Sequence, residues 1–270
     1  MNEAYIDLLT NLESLESVVV AFSGGVDSTF LLYACKQVLG DKVIAVTVDS
    51  PYIPRWEIEE SKELVSLFGV KHHIIKVDIP DNIANNPENR CYLCKKDIFS
   101  NIIEYKNEID FKYVVDGSNY DDTKDYRPGM RALKELDVRS PLLESKLTKA
   151  QIRALSKKQK VPTWNKPAYA CLLSRLPYNT EILTEELTKI ELAEKFIMDK
   201  GFKGIRVRSF GDTAKIEIFK EDMERFIKYE NIKDINDKLI ELGYKVVTLD
   251  LGGYAMGKMN RSIEEKIKNE

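Results

Sequence analysis

A buried strand that runs through a glycine turn into a helix is the feature that most constrains this fold. Residues 18–32 read VVVAFSGGVDSTFLL, an apolar block, two glycines and an aspartate followed by a helical pattern. A short, continuous apolar strand is typical of a parallel sheet buried on both faces. A glycine turn at a helix start directs backbone N–H groups at an anion, usually phosphate. The sequence therefore predicts an α/β domain that binds phosphate.

Strands and helices continue to alternate along the next 130 residues or so, as the apolar spacing indicates. The predicted strands after the first, 18–22, are 43–48, 72–77 and 113–115. The predicted helices are 3–15, 28–39, 57–68, 95–105, 131–136 and 148–158. Alternation of this kind predicts a doubly wound, mainly parallel α/β sheet, whose ligands lie outside the carboxyl ends of its strands.

The pattern changes after Pro177. A helix at 185–200, two alternating strands at 204–210 and 214–219, a helix at 223–242 and a strand at 244–251 follow. Helix, hairpin, helix and strand are typical of an α+β arrangement. We therefore expect a nucleotide-binding domain at 1–178, a smaller α+β domain at 179–258 and a charged tail at 259–270.

Charge and composition exclude several classes of protein. Lys and Arg number 41 and Asp and Glu 44, a net charge of −3, which argues against a general nucleic-acid binder. No apolar run approaches the length of a membrane span, of about 18 residues, and the acidic N-terminus is unlike a secretory signal. We expect a cytoplasmic protein without a membrane span, in which paired cysteines bind metal more often than they form disulfides.

The glycine loop, residues 23–28, has an aspartate where the common ATP-binding loop has a lysine. Gly24 and Gly25 let the backbone approach an anion, while the hydroxyls of Ser23 and Ser28 donate to it. Asp27 repels phosphate, so its natural partner is the Mg²⁺ that ATP carries. The alternative is a glycine-rich turn that only precedes a helix. The motif SGGVDS resembles the loop of the PP-loop ATP pyrophosphatases, which cleave ATP between the α and β phosphates.

Two residues at other strand ends are further candidates for nucleotide binding. Asp49 ends the second strand and is placed to reach ribose or adenine, or else to cap a helix. Gly117 ends the fourth strand, where we expect a side chain to obstruct a nucleotide.

Three of the four cysteines are candidates for a metal site. Cys91 and Cys94 form a CxxC pair and Cys171 is distant, whereas Cys35 lies on the apolar face of a predicted helix. The set fits a three-thiolate Fe–S site with one open iron, a zinc site completed by His72 or His73, or a redox pair. Spacing alone does not choose among them.

Several segments together resemble the LarE family of sulfurtransferases, which make the nickel-pincer nucleotide. They are AFSGGVDST, DGSNYDDTKDYRPGMRA, WNKPAYACLLSRLPY, GIRVRSF and YKVVTLDLGGY, and they extend over nearly the whole chain. One kind of LarE sacrifices the sulfur of a single cysteine. The other kind binds a [4Fe–4S] cluster through three cysteines, with an extra sulfide on the fourth iron. Cys91, Cys94 and Cys171 place this sequence with the cluster kind.

The resemblance also implies a reaction. A carboxylate of pyridinium-3,5-biscarboxylic acid mononucleotide attacks the α-phosphate of Mg·ATP, and sulfide then displaces AMP to leave a thiocarboxylate. The cofactors implied are ATP, Mg²⁺ and the [4Fe–4S] cluster, and the partners are a nucleotide substrate and a sulfide source. Members of the family form hexamers, so the resemblance implies a homo-oligomer.

Matching segments assign roles to further polar residues. The resemblance implies catalytic roles for Ser174 and Arg175 beside the cysteines, and cofactor binding by a polar loop with Asp125, Arg127 and Arg131. It implies a phosphate or metal site at a subunit interface, formed by Glu194, Arg206, Arg208 and Glu217. The last three should share one face of a hairpin because side chains alternate along a strand. The alternatives are surface ion pairs for Arg131 and Arg175 and an exposed cross-strand ion pair for the hairpin residues.

Three other functions fit parts of the sequence. A tRNA thiolase also combines a PP-loop with a three-cysteine cluster, but it needs a basic surface. An ammonia-using synthetase would not need the cysteines. A non-catalytic nucleotide sensor with a structural zinc would bind ATP without turnover.

Overall fold

The computed structural model describes residues 3–124, 128–168 and 170–255. The chain divides into two units. The first comprises Met1–Pro80 and Asn89–Ala168, and the second comprises Asp81–Glu88 and Tyr169–Glu270. This division assigns residues 169–178 to the second unit, whereas the sequence placed the boundary after residue 178. No helix in the described part of the chain is long and apolar enough to cross a membrane.

The first unit contains a four-stranded parallel sheet. Its strands are β1 (Val18–Ala21), β2 (Val43–Asp49), β3 (Lys71–Lys76) and β4 (Tyr113–Val115). Their order is β3-β2-β1-β4, so the chain moves outward from β1 and then returns to its other side. Such a reversal opens a crevice between β1 and β4, and ligands of these folds bind at a crevice of this kind. The prediction of a doubly wound α/β sheet is confirmed.

Helices cover both faces of this sheet. They are α1 (Glu3–Glu13), α2 (Val26–Leu39), α3 (Arg55–Leu67), α4 (Arg90–Glu108), α5 (Pro128–Glu135), α6 (Pro141–Glu144) and α7 (Lys149–Lys158), with a 3-10 turn at Tyr120–Lys124. Val18 and Val20 of β1 pack in one apolar cluster and Val19 in the other. The two cores follow from the alternation of side chains along a strand.

The N-terminal end of α4 differs from the prediction. The sequence indicated a helix from residue 95, but α4 begins at Arg90 and therefore includes the CxxC motif. The polar sequence NRCYLCKK has little apolar periodicity, and that period is what indicates a helix.

The second unit is built around a three-stranded sheet. An antiparallel hairpin of β5 (Arg206–Phe210) and β6 (Thr213–Glu217) is joined by β7 (Val246–Leu249), which runs parallel to β6. The helices are α8 (Thr184–Asp199), α9 (Met223–Phe226) and α10 (Tyr229–Glu241), with 3-10 turns at Asp81–Ile83, Leu172–Arg175 and Lys220–Asp222. Its apolar cluster includes Phe202, Val207, Ile216 and Leu239. The predicted α+β arrangement is confirmed.

The prediction of one helix over 223–242 is wrong. Lys228 is extended and separates α9 from α10. The side-chain amide of Asn231 donates a hydrogen bond to the carbonyl of Arg225 at 2.8 Å. Side-chain bonds of this kind compete with the backbone bonds of a continuous helix.

Candidate functional site

The glycine loop has the geometry of an anion cradle at the start of α2. Gly24 has φ of 66°, a left-handed conformation that favours glycine, and Gly25 is the extended residue before the helix. The hydroxyls of Ser23 and Ser28 lie 3.1 Å apart, and Ser28 Oγ accepts the Ser23 N–H at 3.3 Å. Because Gly25 has no side chain to cap α2, the first N–H groups of the helix are suited to an anion.

Asp27 lies in the first turn of α2, and its two carboxylate oxygens have different surroundings. Oδ2 pairs with the ammonium of Lys149. Oδ1 is buried, and in the described part of the chain it has no hydrogen-bond partner. Burial raises the pKa of Asp27, Lys149 opposes that rise, and the charge of Asp122 adds to it. A carboxylate with one buried, unsatisfied oxygen fits a site for Mg²⁺.

Two lysines that sequence reasoning missed lie against the glycine loop. Lys149 is the first residue of α7 and reaches Asp27. Lys166 donates to the Gly24 carbonyl at 2.9 Å and to Glu60 at 2.7 Å. Both are more than 120 residues from the loop along the chain, so no local pattern could have indicated these contacts.

The segment that carries Lys166 is fixed by Arg153 of α7. Its guanidinium donates to the carbonyls of Trp164 at 2.7 Å and Lys166 at 2.8 Å. One helix therefore positions both lysines at the loop.

Packing between the β4 end and α2 explains why residue 117 is a glycine. A Cβ atom there would lie 2.9 Å from Ser28 N and 3.2 Å from Ser28 Cα. The close approach of the β4 end to the first turn of α2 therefore requires a glycine here, and clearance for a nucleotide stays a prediction.

Asp49 has a protein partner. It forms an ion pair with Arg55, the first residue of α3, and the same guanidinium donates to the carbonyls of Ser50 and Ile53, each at 2.7 Å. This geometry fits the alternative structural role at a helix start, and a contact with ribose or adenine stays a prediction.

The CxxC cysteines lie in the first two turns of α4. Cys91 is exposed and Cys94 is half-buried, with its thiol donating to the hydroxyl of Tyr52 at 3.4 Å. Cys35 is fully buried in the core, as predicted, and burial raises the pKa of its thiol. The accessible thiols are therefore those predicted to bind metal.

Cys171 belongs to the second unit, where it precedes the 3-10 turn Leu172–Arg175 and is half-buried. Within the described residues of either unit, no three His, Cys, Asp or Glu side chains form a ready metal site. A site that joins Cys171 to Cys91 and Cys94 stays a prediction.

The two histidines of β3 are occupied by protein contacts on opposite faces. His72 Nε2 lies 2.8 Å from Thr47 Oγ1, and His73 stacks on Tyr105 with ring centroids 3.8 Å apart. Burial lowers the pKa of His72. These contacts argue against the alternative of a zinc site completed by a histidine.

Arg175 is a buried clamp on the Cys171 turn. Its side chain is 1% exposed, and Nε and Nη2 donate to the two oxygens of Glu194 at 2.8 Å each. Nη1 lies 2.6 Å from the Ala170 carbonyl, 3.0 Å from the Cys171 carbonyl and 2.9 Å from Ser174 Oγ. This guanidinium therefore holds the backbone around the cysteine.

A second buried pair holds the same turn. Arg208 donates to both oxygens of Glu217, at 2.7 and 3.0 Å, and to the Ser174 carbonyl at 2.8 Å. Arg206 lies opposite Glu217 in the hairpin and is also buried. The three residues share one face, as predicted, but the alternative of an exposed ion pair is wrong because Glu217 is fully buried. Binding of phosphate or metal by this set stays a prediction.

Arg131 lies on the exposed surface of α5. Its Nε donates to Glu135 at 2.8 Å, and its guanidinium lies 4.6 Å from the ring centre of Tyr92. This is the surface ion pair that the sequence left as an alternative to cofactor binding. Asp125 and Arg127, assigned with it to a cofactor-binding loop, lie outside the described residues.

Comparisons with known proteins agree with these features. Residues 17–120 match the family model described as queuosine biosynthesis protein QueC, a PP-loop family. The chain is 37% identical over 249 residues to an uncharacterized protein of Synechocystis, covering 92% of this chain and 93% of the relative. It is 34% identical over 259 residues to the pyridinium-3,5-bisthiocarboxylic acid mononucleotide synthase of Lactiplantibacillus plantarum, covering 95% of this chain and 93% of the synthase. With both units included in that match, the chain belongs to the family of this synthase, the LarE family.

Proposed function

We propose that this protein is an ATP-dependent sulfurtransferase that converts carboxylates of pyridinium-3,5-biscarboxylic acid mononucleotide into thiocarboxylates. The observation that carries the proposal is the identity of 34% to the synthase over 95% of the chain, which includes the glycine loop and the Cys171 turn. The synthase's name supports sulfur transfer, and the residues of the glycine loop support the use of ATP.

Activation of the carboxylate is the first step of the proposed reaction. A carboxylate resists attack by sulfur because oxide is a poor leaving group, whereas AMP is a much better one. Attack on the α-phosphate of ATP releases pyrophosphate, and the first turn of α2 offers N–H groups and a positive dipole end to that anion. The left-handed Gly24 and the serine hydroxyls shape this cradle. Preorganised donors of this kind stabilise charge as it develops on the leaving group.

Asp27 fits the Mg²⁺ that accompanies ATP, because its buried Oδ1 has no hydrogen-bond partner among the described residues. Mg²⁺ prefers carboxylate and phosphate oxygens together. The metal there would neutralise phosphate charge and orient the α-phosphate for attack.

The three accessible cysteines fit a cluster as its ligands. Cys91 and Cys94 are three residues apart on α4, so their side chains lie on one face of the helix. A [4Fe–4S] cluster held by these two and Cys171 would supply a bound sulfide as nucleophile without net redox change. Arg175 and Arg208 then have positioning roles, since they hold the backbone on either side of Ser174 in the Cys171 turn.

The test combines metal analysis with product analysis on anaerobically purified protein. We expect about four irons and four sulfides per chain, lost in Cys91→Ala but retained in Cys35→Ala. With Mg·ATP, sulfide and the biscarboxylic acid mononucleotide, wild type should form AMP, pyrophosphate and a product with sulfur in place of oxygen. Cys91→Ala should still release pyrophosphate as the adenylate forms, and AMP as water hydrolyses that adenylate back to the carboxylate, but it should form no thiocarboxylate.

Two results would contradict the proposal. Thiocarboxylate formation unchanged in Cys91→Ala would exclude the cluster as the sulfur carrier. Nucleotide binding without AMP formation would exclude adenylation and favour a nucleotide sensor.

A further inference from the structure

The ion pair between Lys149 and Asp27 occupies a position where the proposed ATP site needs a metal ligand. Lys149 holds one oxygen of the carboxylate, and the other is buried without a hydrogen-bond partner among the described residues. The charges of Asp27 and Lys149 cancel, so the glycine loop without nucleotide presents no net charge from this pair. A free divalent cation would have to compete with an ammonium that is already in contact.

The backbone of Lys149 is held by fixed contacts of α7, whereas its ammonium forms the ion pair with Asp27. Thr148 and Gln151 form a reciprocal capping box at the start of α7, and the Lys149 N–H donates to Asp121 at 2.9 Å. Its side chain is 35% exposed. A lysine side chain has four rotatable carbon–carbon bonds, so the ammonium can move several ångströms while the helix stays fixed.

Lys166, unlike Lys149, is mostly buried, and two contacts hold its ammonium. Its side chain is only 10% exposed and its ammonium bridges the Gly24 carbonyl and Glu60. It therefore supports the loop in a fixed geometry. Of these two cations at the loop, Lys149 is the one free to exchange partners.

We propose that Lys149 changes partner when Mg·ATP binds. Without nucleotide it neutralises Asp27 and keeps free Mg²⁺ from the carboxylate. When Mg·ATP arrives, the metal takes the carboxylate and the ammonium turns to a phosphate oxygen, which carries more negative charge than the carboxylate it leaves. Lys149 thus has two roles. It blocks the Asp27 carboxylate when no nucleotide is bound, and it binds phosphate when Mg·ATP is bound. The proposal rests on the ATP site proposed above.

The test measures metal binding without nucleotide, with Mn²⁺ as the probe for Mg²⁺ in electron paramagnetic resonance titrations. We expect weak Mn²⁺ binding by wild type and binding about tenfold tighter in Lys149→Met, because the competing cation is gone. With a non-hydrolysable α,β-methylene ATP, the same variant should bind the Mn·nucleotide about tenfold more weakly than wild type. Lys158→Met, on the exposed face of α7, is the matched control and should behave as wild type in both titrations.

Further variants guard against a folding artefact and locate the site. Lys149→Gln should show the same two changes, and its thermal unfolding reports whether the fold is intact. The charge-balanced double variant Asp27→Asn with Lys149→Met should lose the tighter Mn²⁺ binding.

The proposal is overturned if the Mn²⁺ affinity of Lys149→Met equals that of wild type, or if the double variant keeps the tight site. An unchanged affinity for the nucleotide would overturn the phosphate-binding role. Neither titration needs the sulfur-transfer substrate or the cluster, so a failure of sulfur transfer leaves both results interpretable.

Discussion

At the scale of the residue, two arginine–carboxylate pairs hold the turn at Cys171. They are Arg175 with Glu194 and Arg208 with Glu217. The three guanidinium nitrogens of Arg175 donate to Glu194 or to the turn itself, and Glu194 also accepts the Val207 N–H at 2.9 Å. A guanidinium used in this way holds the backbone around the cysteine, and the predicted catalytic role of Arg175 stays a prediction. Buried pairs contribute little net stability, but removing one partner leaves a desolvated charge.

Glu194→Gln tests this positioning role. We expect the free energy of unfolding, measured in urea, to fall by about 3 kcal/mol, because the Arg175 charge stays buried without its counter-charge. The Cys171 thiol should also react faster with iodoacetamide, since its turn loosens. The matched control is Glu241→Gln, which removes an exposed pair with Lys238 in the same unit and should change stability by less than about 0.5 kcal/mol. Equal effects of the two substitutions would contradict a buried clamp.

Gly117→Ala tests the contact between the β4 end and α2. The added Cβ would meet backbone atoms of Ser28 at 2.9 and 3.2 Å, which rotation of a side chain cannot relieve. We expect a stability loss of about 1–3 kcal/mol and a weaker affinity for Mg·ATP, because the first turn of α2 must shift.

Gly69→Ala is the comparison for that experiment. Gly69 has φ of 60° but open space around its Cβ position, so alanine there should cost about 1 kcal/mol without changing nucleotide affinity. If both alanine variants bound Mg·ATP as wild type does, the packing role of Gly117 would be wrong.

At the scale of the element, helix α7 positions both of the lysines that contact the glycine loop. Its first residue reaches Asp27, and Arg153 one turn later holds the Lys166 segment. The start of the helix is set by the reciprocal bonds of Thr148 and Gln151, at 3.3 and 2.9 Å. The local rule that begins this helix therefore also determines the position of Lys149.

Thr148→Ala should weaken that start. We expect a loss of about 1 kcal/mol in unfolding free energy, the usual cost of removing an N-cap hydroxyl, and a weaker affinity for Mg·ATP. Thr148→Ser keeps a capping hydroxyl and should restore both values. Denaturant unfolding and calorimetric titration would measure the two effects. The role of the cap would be refuted if serine and alanine behaved alike.

The elements of the fold were largely predictable because each rests on local patterns. The buried strand at 18–21 and the helix that follows it were found from apolar runs and spacing, and the hairpin at 206–217 from alternation and its turn. Prediction failed at the start of α4, where a polar sequence forms helix. It also failed between α9 and α10, where the Asn231 side chain bonds to the Arg225 carbonyl and the helix is interrupted. In the candidate site, the loop and the cysteines were visible as motifs. Lys149 was not, because its contact with Asp27 exists only once distant elements pack.

At the scale of the whole molecule, the second unit takes residues from two separate parts of the chain. Asn86 is fully buried, and its side-chain amide donates to the Pro177 carbonyl at 2.7 Å, while its backbone carbonyl accepts the Asn179 N–H at 3.0 Å. Segment 81–88, which directly precedes α4 and its CxxC motif, is thus part of the second unit's packing. A boundary drawn after residue 178 would remove this segment and also Arg175.

Two fragments distinguish the boundaries. We expect residues 81–88 joined by a Gly/Ser linker to 169–255 to unfold cooperatively, because this fusion keeps Arg175 with Glu194. Residues 179–255 alone should be less stable by at least about 3 kcal/mol, a large part of the stability of a small domain, because Glu194 is then buried without its partner. Adding Glu194→Met to the shorter fragment should recover part of the loss, since it removes the unpaired charge. Urea unfolding followed by circular dichroism measures all three, and equal midpoints for the fusion and the shorter fragment would support the boundary after residue 178 instead.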